Sequence, residues 1–424
     1  MPAIHSRKEL LDALSQAAEL EHFLCCSYLY AGFSIKKTPD ENLKPEETEK
    51  TRSWVTSICL IARQEMEHLG MVCNLLSSLG AGPNFLRANF PQRKNYLPID
   101  LPFELRRFDL TSLNNFINFE KPDSNCSSQD SSEDDPLIKY DSLQDLYNKI
   151  KHGFVYLNKT LGAENLFVGP TSAQITNETL FDQTAKAYQI NLRGIVAKEP
   201  SQRLAQALSI IEQILIEGEG SIGERQGSHF ARFVKIKKQY EALKKANKNF
   251  EPAYNVATNP VTYDHRFNAK GGTPITNPLT LEVANLFNLV YEAMLLMLIR
   301  LYSDTDETHV ESVALEKIAF FPLMTMGIRP LSEVLMTLPC GADAELKAGP
   351  TFEITRPLQF LPHRNAAWKV LEEILTQTGE QAKLVAAKAL RENSPTAERL
   401  DFIAKSLVRN AKNFAAYIQG KEDI

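Results

Sequence analysis

The sequence predicts a mainly α fold built on a four-helix bundle. Apolar residues recur at three- and four-residue steps over long stretches, and few segments show the two-residue alternation of strands. Two of these helical stretches carry glutamate or histidine at positions where the pattern demands an apolar residue. Facing helices that contribute Glu and Glu-x-x-His are typical of metal-binding four-helix bundles.

The composition is that of an ordinary globular protein. The 424 residues are 43% hydrophobic and 23% charged, and the net charge of -5 argues against nucleic acid or an anionic membrane as the main partner. The start lacks an apolar signal-peptide core, and no run approaches the roughly 20 apolar residues of a membrane span. Adjacent Cys25 and Cys26 make a poor disulfide framework, so we expect reduced thiols and a cytoplasmic protein.

Four regions follow from the changes in pattern along the chain. The first has two long helical patterns, and the second is irregular and rich in Asn, Pro, Phe and Asp. Helical periodicity then returns and continues to the end. We predict core helices one and two in 1–82, a crossover insertion in 83–200 with a mobile acidic loop at 120–136, the remaining core helices in 201–304, and a helical extension in 305–424.

Three residues of the first region, Glu21, Glu65 and His68, are predicted to supply part of the ligands of a metal site. Glu21 lies among apolar residues of the first helix, and Glu65 and His68 lie one turn apart on the apolar face of the second. An ionised carboxylate buried without a partner is costly, and a divalent metal ion removes that cost. A lone Glu-x-x-His also arises by chance on solvated helices, but that explanation leaves Glu21 without a reason.

The other half of the site is less regular. His229 lacks a local carboxylate, because a second Glu-x-x-His would need an acid where Gln226 stands. Glu219 is the preferred ligand, since its flanking glycines allow close approach. Glu212, on the same stripe, is the alternative, and Glu292 in a later apolar helix is a weaker candidate.

Two neighbours of Glu21 have open interpretations. His22 is either a hydrogen-bond partner of a ligand carboxylate or a histidine satisfied within the core. Tyr28, two turns from Glu21 on the same stripe, is a donor to a ligand, a redox-active phenol or, as we favour, a core residue.

These segments together resemble a known family. "AELEHFLCCSYLYA", "ARQEMEHLGMVCNLLSSLGAGPNF", "LFVGPTSAQI", "EGEGS" and "SHFARF", in that order, resemble the ferritin-like domain of the iminophenylpyruvate dimer synthase family. That family includes the enzymes of violacein and rebeccamycin biosynthesis that join two indole-pyruvate imine units. The resemblance covers roughly residues 8–300. The C-terminal "LMTMGIRPLSEVLMTLP", "AGPTFE" and "LPHRNAAW" also resemble the tail of stand-alone members.

The resemblance implies a ferritin-like bundle with a non-haem metal site. It implies a large irregular insertion between core helices two and three, and a helical C-terminal extension. Two iron ions are the implied cofactor, with manganese as the alternative, and no organic cofactor is implied. The implied ligands, carried over position by position, are Glu21, Glu65, His68, Glu219 and His229.

The resulting functional hypothesis is a dinuclear-metal oxidase or oxygenase. Its substrate would be a small molecule, such as an amino-acid-derived imine of secondary metabolism, with dioxygen as co-substrate. The alternatives are an iron-handling protein without an organic substrate and a manganese enzyme that consumes peroxide. The sequence assigns no catalytic residue. It is compatible with a homo-oligomer.

Overall fold

The fold is mainly α-helical, which confirms the predicted fold class. The computed structural model describes residues 4–92, 96–97, 102–122, 139–180, 190–218, 227–262 and 271–420. Within these residues the helices are α1 Arg7–Ser34, α2 Pro45–Ser78, α3 Leu110–Phe119, α4 Leu143–Leu161, α5 Ala163–Leu166, α6 Pro200–Gly218, α7 His229–Ala246, α8 Pro278–Leu301, α9 His309–Ala314, α10 Arg329–Leu335, α11 Arg364–Arg391 and α12 Ala397–Ile418. Two π-helical segments, Leu315–Phe320 and Leu323–Ile328, join α9 to α10. Two short 3₁₀-helices, Pro39–Glu41 and Thr171–Ala173, and a two-residue parallel pair, β1 Pro260–Val261 and β2 Thr273–Pro274, complete the described secondary structure.

The long helices α1 and α2 form the centre of the molecule. A capping box starts α1, where the Ser6 hydroxyl accepts from the Glu9 backbone N–H and the Glu9 carboxylate accepts from the Ser6 N–H. Most of α1 beyond Glu9 is buried, and α2 becomes almost wholly buried from Glu65 onward. A helix that is buried all round must pack on both sides, so α1 and α2 have a separate set of partners on each face.

On one face the pair joins α4 and α6 to close a four-helix ring. Helix α1 packs on α2 and on α4, α4 packs on α6, and α6 returns to α2. Helices α3 and α7 pack together, and α7 also meets α2. The sequence division places the α4 segment within the crossover, whereas its contacts make it a member of the ring.

The crossover between α4 and α6 runs over the C-terminal end of α2. The Gly169 N–H donates to the Ser78 carbonyl at 3.0 Å, and a Cβ at Gly169 would overlap the Ser77 carbonyl oxygen. The Asn74 side chain accepts from the Ile175 N–H and donates to the Ile175 carbonyl. The "LFVGPTSAQI" segment is therefore held against α2 by the Asn74 side chain and by a close backbone approach at Gly169 that only a glycine permits.

On the other face α1 and α2 meet a second helical layer. Helix α8 packs against α10, α11 and the π-helical segments, and α11 and α12 form a long hairpin beside them. The sequence division groups α8 with the core helices, but its described contacts lie mainly with the C-terminal layer. By length and composition, two described helical stretches are apolar enough to cross a membrane, Pro278–Leu301 and His309–Leu335. In the most apolar 18-residue window of each stretch, 67% of the first and 50% of the second is buried inside the protein. Buried core helices of soluble proteins have the same apolar composition.

Candidate metal centre

Three side chains from α1 and α2 meet in the ring of helices. Glu21, Glu65 and His68 are each at most 2% exposed. His68 Nδ1 lies 3.2 Å from Glu65 Oε2 and 3.7 Å from Glu21 Oε2. The Glu-x-x-His spacing puts both side chains of α2 on one face, and that face points at Glu21.

A second triad shares Glu65 with the first. Glu120 follows the last residue of α3, and His229 is the first residue of α7. His229 Nδ1 lies 2.7 Å from Glu65 Oε1 and 3.6 Å from Glu120 Oε1, and its ring stacks on that of His68 at 5.5 Å. In each triad the ligand atoms lie within 4.8 Å of one another. Glu65 thus turns one oxygen to each triad, as a carboxylate that bridges two ions does.

Groups around the triads hold these side chains in place. The Tyr147 hydroxyl of α4 donates to Glu21 Oε1, and the Tyr28 hydroxyl donates to Glu120 Oε1 at 2.5 Å. His68 Nε2 lies 3.2 Å from Glu217 Oε2 of α6, so Glu217 accepts the second ring proton of His68. Such a carboxylate–histidine pair fixes the orientation and tautomer of a ligating imidazole.

The donor set fits a bound transition-metal ion. Within the described residues Glu21 Oε2, Glu65 Oε1 and both ring nitrogens of His229 have no hydrogen-bond partner. The 2.7 Å separation of His229 Nδ1 and Glu65 Oε1 therefore lacks hydrogen-bond alignment. Buried polar atoms almost always have partners, so unpaired lone pairs that converge indicate a cation between them. Carboxylate and imidazole together suit iron, manganese and zinc.

The shifted pKa values of Glu21, Glu65 and His229 show that the cluster of acids is stabilised by added positive charge. Burial, with repulsion from Glu65, raises the pKa of Glu21 to about 8. Burial also opposes ionisation of Glu65, but His229 and His68 outweigh it and hold the pKa of Glu65 well below its usual range. Burial works against the charge of His229 too, yet Glu65 and Glu120 raise its pKa to about 9. A bound cation would supply the charge that protons supply here.

The structure brings four of the five predicted metal ligands together. Glu21, Glu65, His68 and His229 meet in one cluster, whereas Glu219 lies outside the described residues. The two alternatives for Glu219 are elsewhere. Glu212 is exposed and pairs with Lys151 at 3.0 Å, and Glu292 accepts from the Thr355 backbone N–H at 2.6 Å.

Two acidic residues of the cluster escape prediction from the sequence. Composition places Glu120 at the start of an exposed acidic loop, but it is 4% exposed and lies directly after the buried Phe119. Glu217 lies on α6, two positions before Glu219 in the sequence. The sequence pattern does not favour Glu217 over the other glutamates of this stretch. A signal for Glu120 does exist, since it ends an apolar helical stretch and precedes the Ser-rich run.

The open interpretations of His22 and Tyr28 are resolved by their contacts. His22 Nε2 hydrogen-bonds the Tyr291 hydroxyl of α8, away from the cluster, so His22 is a core residue and not a partner of a ligand carboxylate. Its Nδ1 has no hydrogen-bond partner among the described residues. Tyr28 is both packed in the core and a donor to Glu120.

The space beside the ligands is small. A pocket of about 20 Å³ is lined by Glu21, Glu65, His68 and Glu120 together with side chains of α4 and α6. That volume is enough for a water-sized or diatomic molecule. The described residues leave no room for an organic molecule at this point.

The bundle and its carboxylate–histidine cluster define a helical protein of the ferritin class. The chain belongs to the Ferritin-like family, whose sequence model matches residues 14–238. That range contains every residue of both triads. The resemblance found in the sequence is therefore confirmed.

Two relatives and one solved structure extend this result. Dichlorochromopyrrolate synthase of Lentzea aerocolonigenes is 26% identical, over 95% of this chain and 41% of that protein. The 2-imino-3-(indol-3-yl)propanoate dimerase of Chromobacterium violaceum is 25% identical, over 82% of this chain and 34% of that protein. The chain thus spans less than half the length of either relative. A ferritin-like protein of Caulobacter vibrioides shares the fold, with a TM-score of 0.50 and 19% identity over 82% of this chain and 98% of that one.

Proposed function

We propose that the protein is a non-haem dinuclear-metal oxidase or oxygenase that acts on a small molecule. The observation that carries the proposal is the pair of triads that share Glu65. Iron is the metal we favour, with about two ions per chain, as in carboxylate-bridged bundles. When bound, such ions supply the redox chemistry that reduces dioxygen or peroxide.

The chain's own residues would set the geometry for that chemistry. Glu65 would hold the two metal positions at a fixed separation. The Tyr147 and Tyr28 hydroxyls each occupy one oxygen of Glu21 and Glu120, which leaves the second oxygen for a metal. Glu217 would keep His68 in the tautomer whose Nδ1 lone pair faces the cluster. Burial of the five triad side chains keeps bulk water away.

The proposed substrate is an amino-acid-derived imine of secondary metabolism. The support is the relative from Chromobacterium violaceum, which is a dimerase of an indole-derived imine. In an oxidase reaction two electrons and two protons would leave the organic substrate, and dioxygen would be reduced to hydrogen peroxide. The small pocket at the ligands suits the size of dioxygen or peroxide.

A cytoplasmic location is part of the same proposal. The cysteines among the described residues, Cys25, Cys26, Cys59, Cys73 and Cys340, all carry free thiols. Free buried thiols are typical of proteins from a reducing compartment.

The test begins with metal content. Protein purified without chelators or a His-tag would be measured by plasma mass spectrometry beside the Glu65→Ala/His68→Ala variant. We expect about two iron ions per chain, lost in the variant. Oxygen uptake in step with loss of an added imino acid would then support the oxidase. Oxygen release from peroxide by a manganese form would favour the peroxide-consuming alternative. A folded parent protein without any metal would contradict the proposal.

A further inference from the structure

A large apolar cavity lies on the other face of α1 and α2. Its volume is about 190 Å³, and its walls come from α1, α2, α8 and the two π-helical segments. Most lining side chains are large and apolar, among them Phe85, Met294, Leu298, Phe320 and Met324. π-helical turns are rare and often occur at functional sites. Two of them in one wall mark this cavity as more than a packing defect.

The cavity is distinct from the metal centre. His22 and Cys25 of α1 and Met66 and Leu69 of α2 line the cavity. The small pocket is lined instead by four triad residues, Glu21, Glu65, His68 and Glu120. The two spaces share no lining residue among those the structure describes. A molecule in the cavity would therefore be separated from the triads by α1 and α2 themselves.

The Tyr302 hydroxyl is the polar group on the wall that we assign to a ligand. Tyr302 is 6% exposed and lines the cavity, and its ring packs edge-on against Phe85 at 5.6 Å. In the described part of the chain its hydroxyl makes no hydrogen bond, and Gly70 lets it lie directly against α2. A hydroxyl at the cavity wall without a protein partner can donate to a ligand that enters the cavity.

The other polar side chains of the wall are largely engaged. The Tyr291 hydroxyl contacts His22 Nε2 and accepts from Arg87 at 3.2 Å. Glu67 pairs with Arg63 at 3.1 Å. The acidic groups of Glu67 and Glu316 lie near Tyr302 and disfavour an anion there. The wall thus offers a mainly apolar space with the Tyr302 hydroxyl as a hydrogen-bond donor. His22 Nδ1 is a second polar atom of a lining residue without a hydrogen-bond partner among the described residues.

We propose that this cavity binds an uncharged aromatic molecule of one or two fused rings, which accepts a hydrogen bond from Tyr302. An engineered protein cavity of about 150 Å³ takes up benzene, so about 190 Å³ suits a somewhat larger ring system. Phenylalanine and methionine side chains supply the contacts that aromatic ligands prefer. This site goes beyond the proposed function and does not require bound metal.

The test uses 2-naphthol and naphthalene as probes of the full-length protein. We expect saturable one-to-one binding of both, with 2-naphthol the tighter ligand. Tyr302→Phe removes only the hydroxyl and should weaken 2-naphthol about fivefold while leaving naphthalene unchanged. Met294→Trp fills the cavity and should weaken both probes at least about tenfold.

Control variants distinguish binding in this cavity from binding elsewhere on the protein. Leu390→Trp adds the same indole at a position on α11 that is 70% exposed and should leave both probes unaffected. If Met294→Trp does not fold by circular dichroism, Leu298→Phe replaces it as the filling variant. Glu65→Gln should keep probe binding even if it loses metal. The two measurements therefore test the cavity proposal and the proposed metal centre independently. The proposal is overturned if neither probe binds, if filling the cavity changes nothing, or if Tyr302→Phe weakens both probes equally.

Discussion

The two faces of the α1–α2 pair differ in what they bury. One face buries Glu21, Glu65 and His68 beside a space of about 20 Å³, and the other buries apolar side chains around about 190 Å³. Glu65 and Glu67 show the contrast on one helix. Both are buried, but Glu67 pairs with Arg63 whereas Glu65 faces two histidines and further acids. Carboxylates without enough countercharge suit the first face to a cation, and a space lined mainly by apolar side chains suits the second face to an apolar molecule.

The largest expected effect comes from Glu65→Gln. The amide keeps the size of the side chain but cannot serve both triads as a bridging carboxylate, so we expect nearly all metal to be lost. Glu67→Gln is the matched control, two residues away and also buried, and should keep its metal. Plasma mass spectrometry of both variants gives the answer. Equal metal content in the two would contradict the difference between the faces.

Glu120→Gln should remove about one of two ions. It leaves Glu21, Glu65 and His68 intact and weakens only the triad with His229. The amide oxygen can still accept from Tyr28, so the fold should be preserved. Metal content near one per chain would support two separate positions, and unchanged content would show that Glu120 is not a ligand.

Glu217→Gln should weaken metal binding without changing its stoichiometry. Glu217 contacts His68 through Nε2, on the side away from the triad, and the loss of such a partner typically costs about 10- to 100-fold in affinity. Competition with a chelator of known affinity measures the change. A loss of stoichiometry instead would make Glu217 a direct ligand.

Gly70→Ala should destabilise the fold through the apolar face alone. A Cβ there would overlap the Tyr302 hydroxyl and come within 3.0 Å of Leu192. We expect a loss of about 1–3 kcal/mol in the free energy of unfolding, with metal content unchanged. Thermal unfolding beside Gly82→Ala, where a Cβ meets nothing within 4 Å, isolates the effect. Equal melting temperatures would show that the wall yields easily.

The smallest effect is a difference in pH dependence. Without metal, Glu21 with a pKa of about 8 and His229 with a pKa of about 9 hold protons at neutral pH. A metal must displace those protons, so its affinity should rise between about pH 6 and 9. At least two protons should be released per chain, because burial opposes the charge of His68 but Glu21, Glu217 and Glu65 outweigh burial and raise the pKa of His68 as well. Calorimetry in two buffers of different ionisation enthalpy counts them. Naphthalene binding in the cavity should be flat over the same range, and a metal affinity equally flat would contradict the assignment.

The metal centre was predictable where a charged residue broke an apolar helical pattern. Glu21, Glu65 and His68 stand on buried stripes, so the period of 3.6 residues alone points them to one place. Glu120 could not be found in this way, because composition assigned it to the acidic run that follows, while packing of Phe119 draws it inward. On α6 the candidate Glu212 lies off the buried face of the helix. The buried positions of α6 are Ala207, Ile210, Ile211, Gln213, Ile214 and Gly218.

The fold class was predictable, but the arrangement of layers was not. Periodicity gives helices and their apolar faces, and it does not say which helix packs on which. Helix α4 packs in the four-helix ring and α8 packs in the second layer. No local sequence pattern predicts either position. The cavity had no signal at all, since its wall is made of apolar side chains that look like ordinary core in the sequence.

The outer wall of the cavity has a consequence for how relatives diverge. The triads lie within residues 14–238, which the family shares, whereas Tyr291, Met294, Tyr302 and the π-helical segments lie beyond that range. Selection on the C-terminal layer can thus reshape the cavity while the proposed ligand set stays fixed. Among homologues we expect the ligands to be kept as a block and the aromatic wall to change from lineage to lineage.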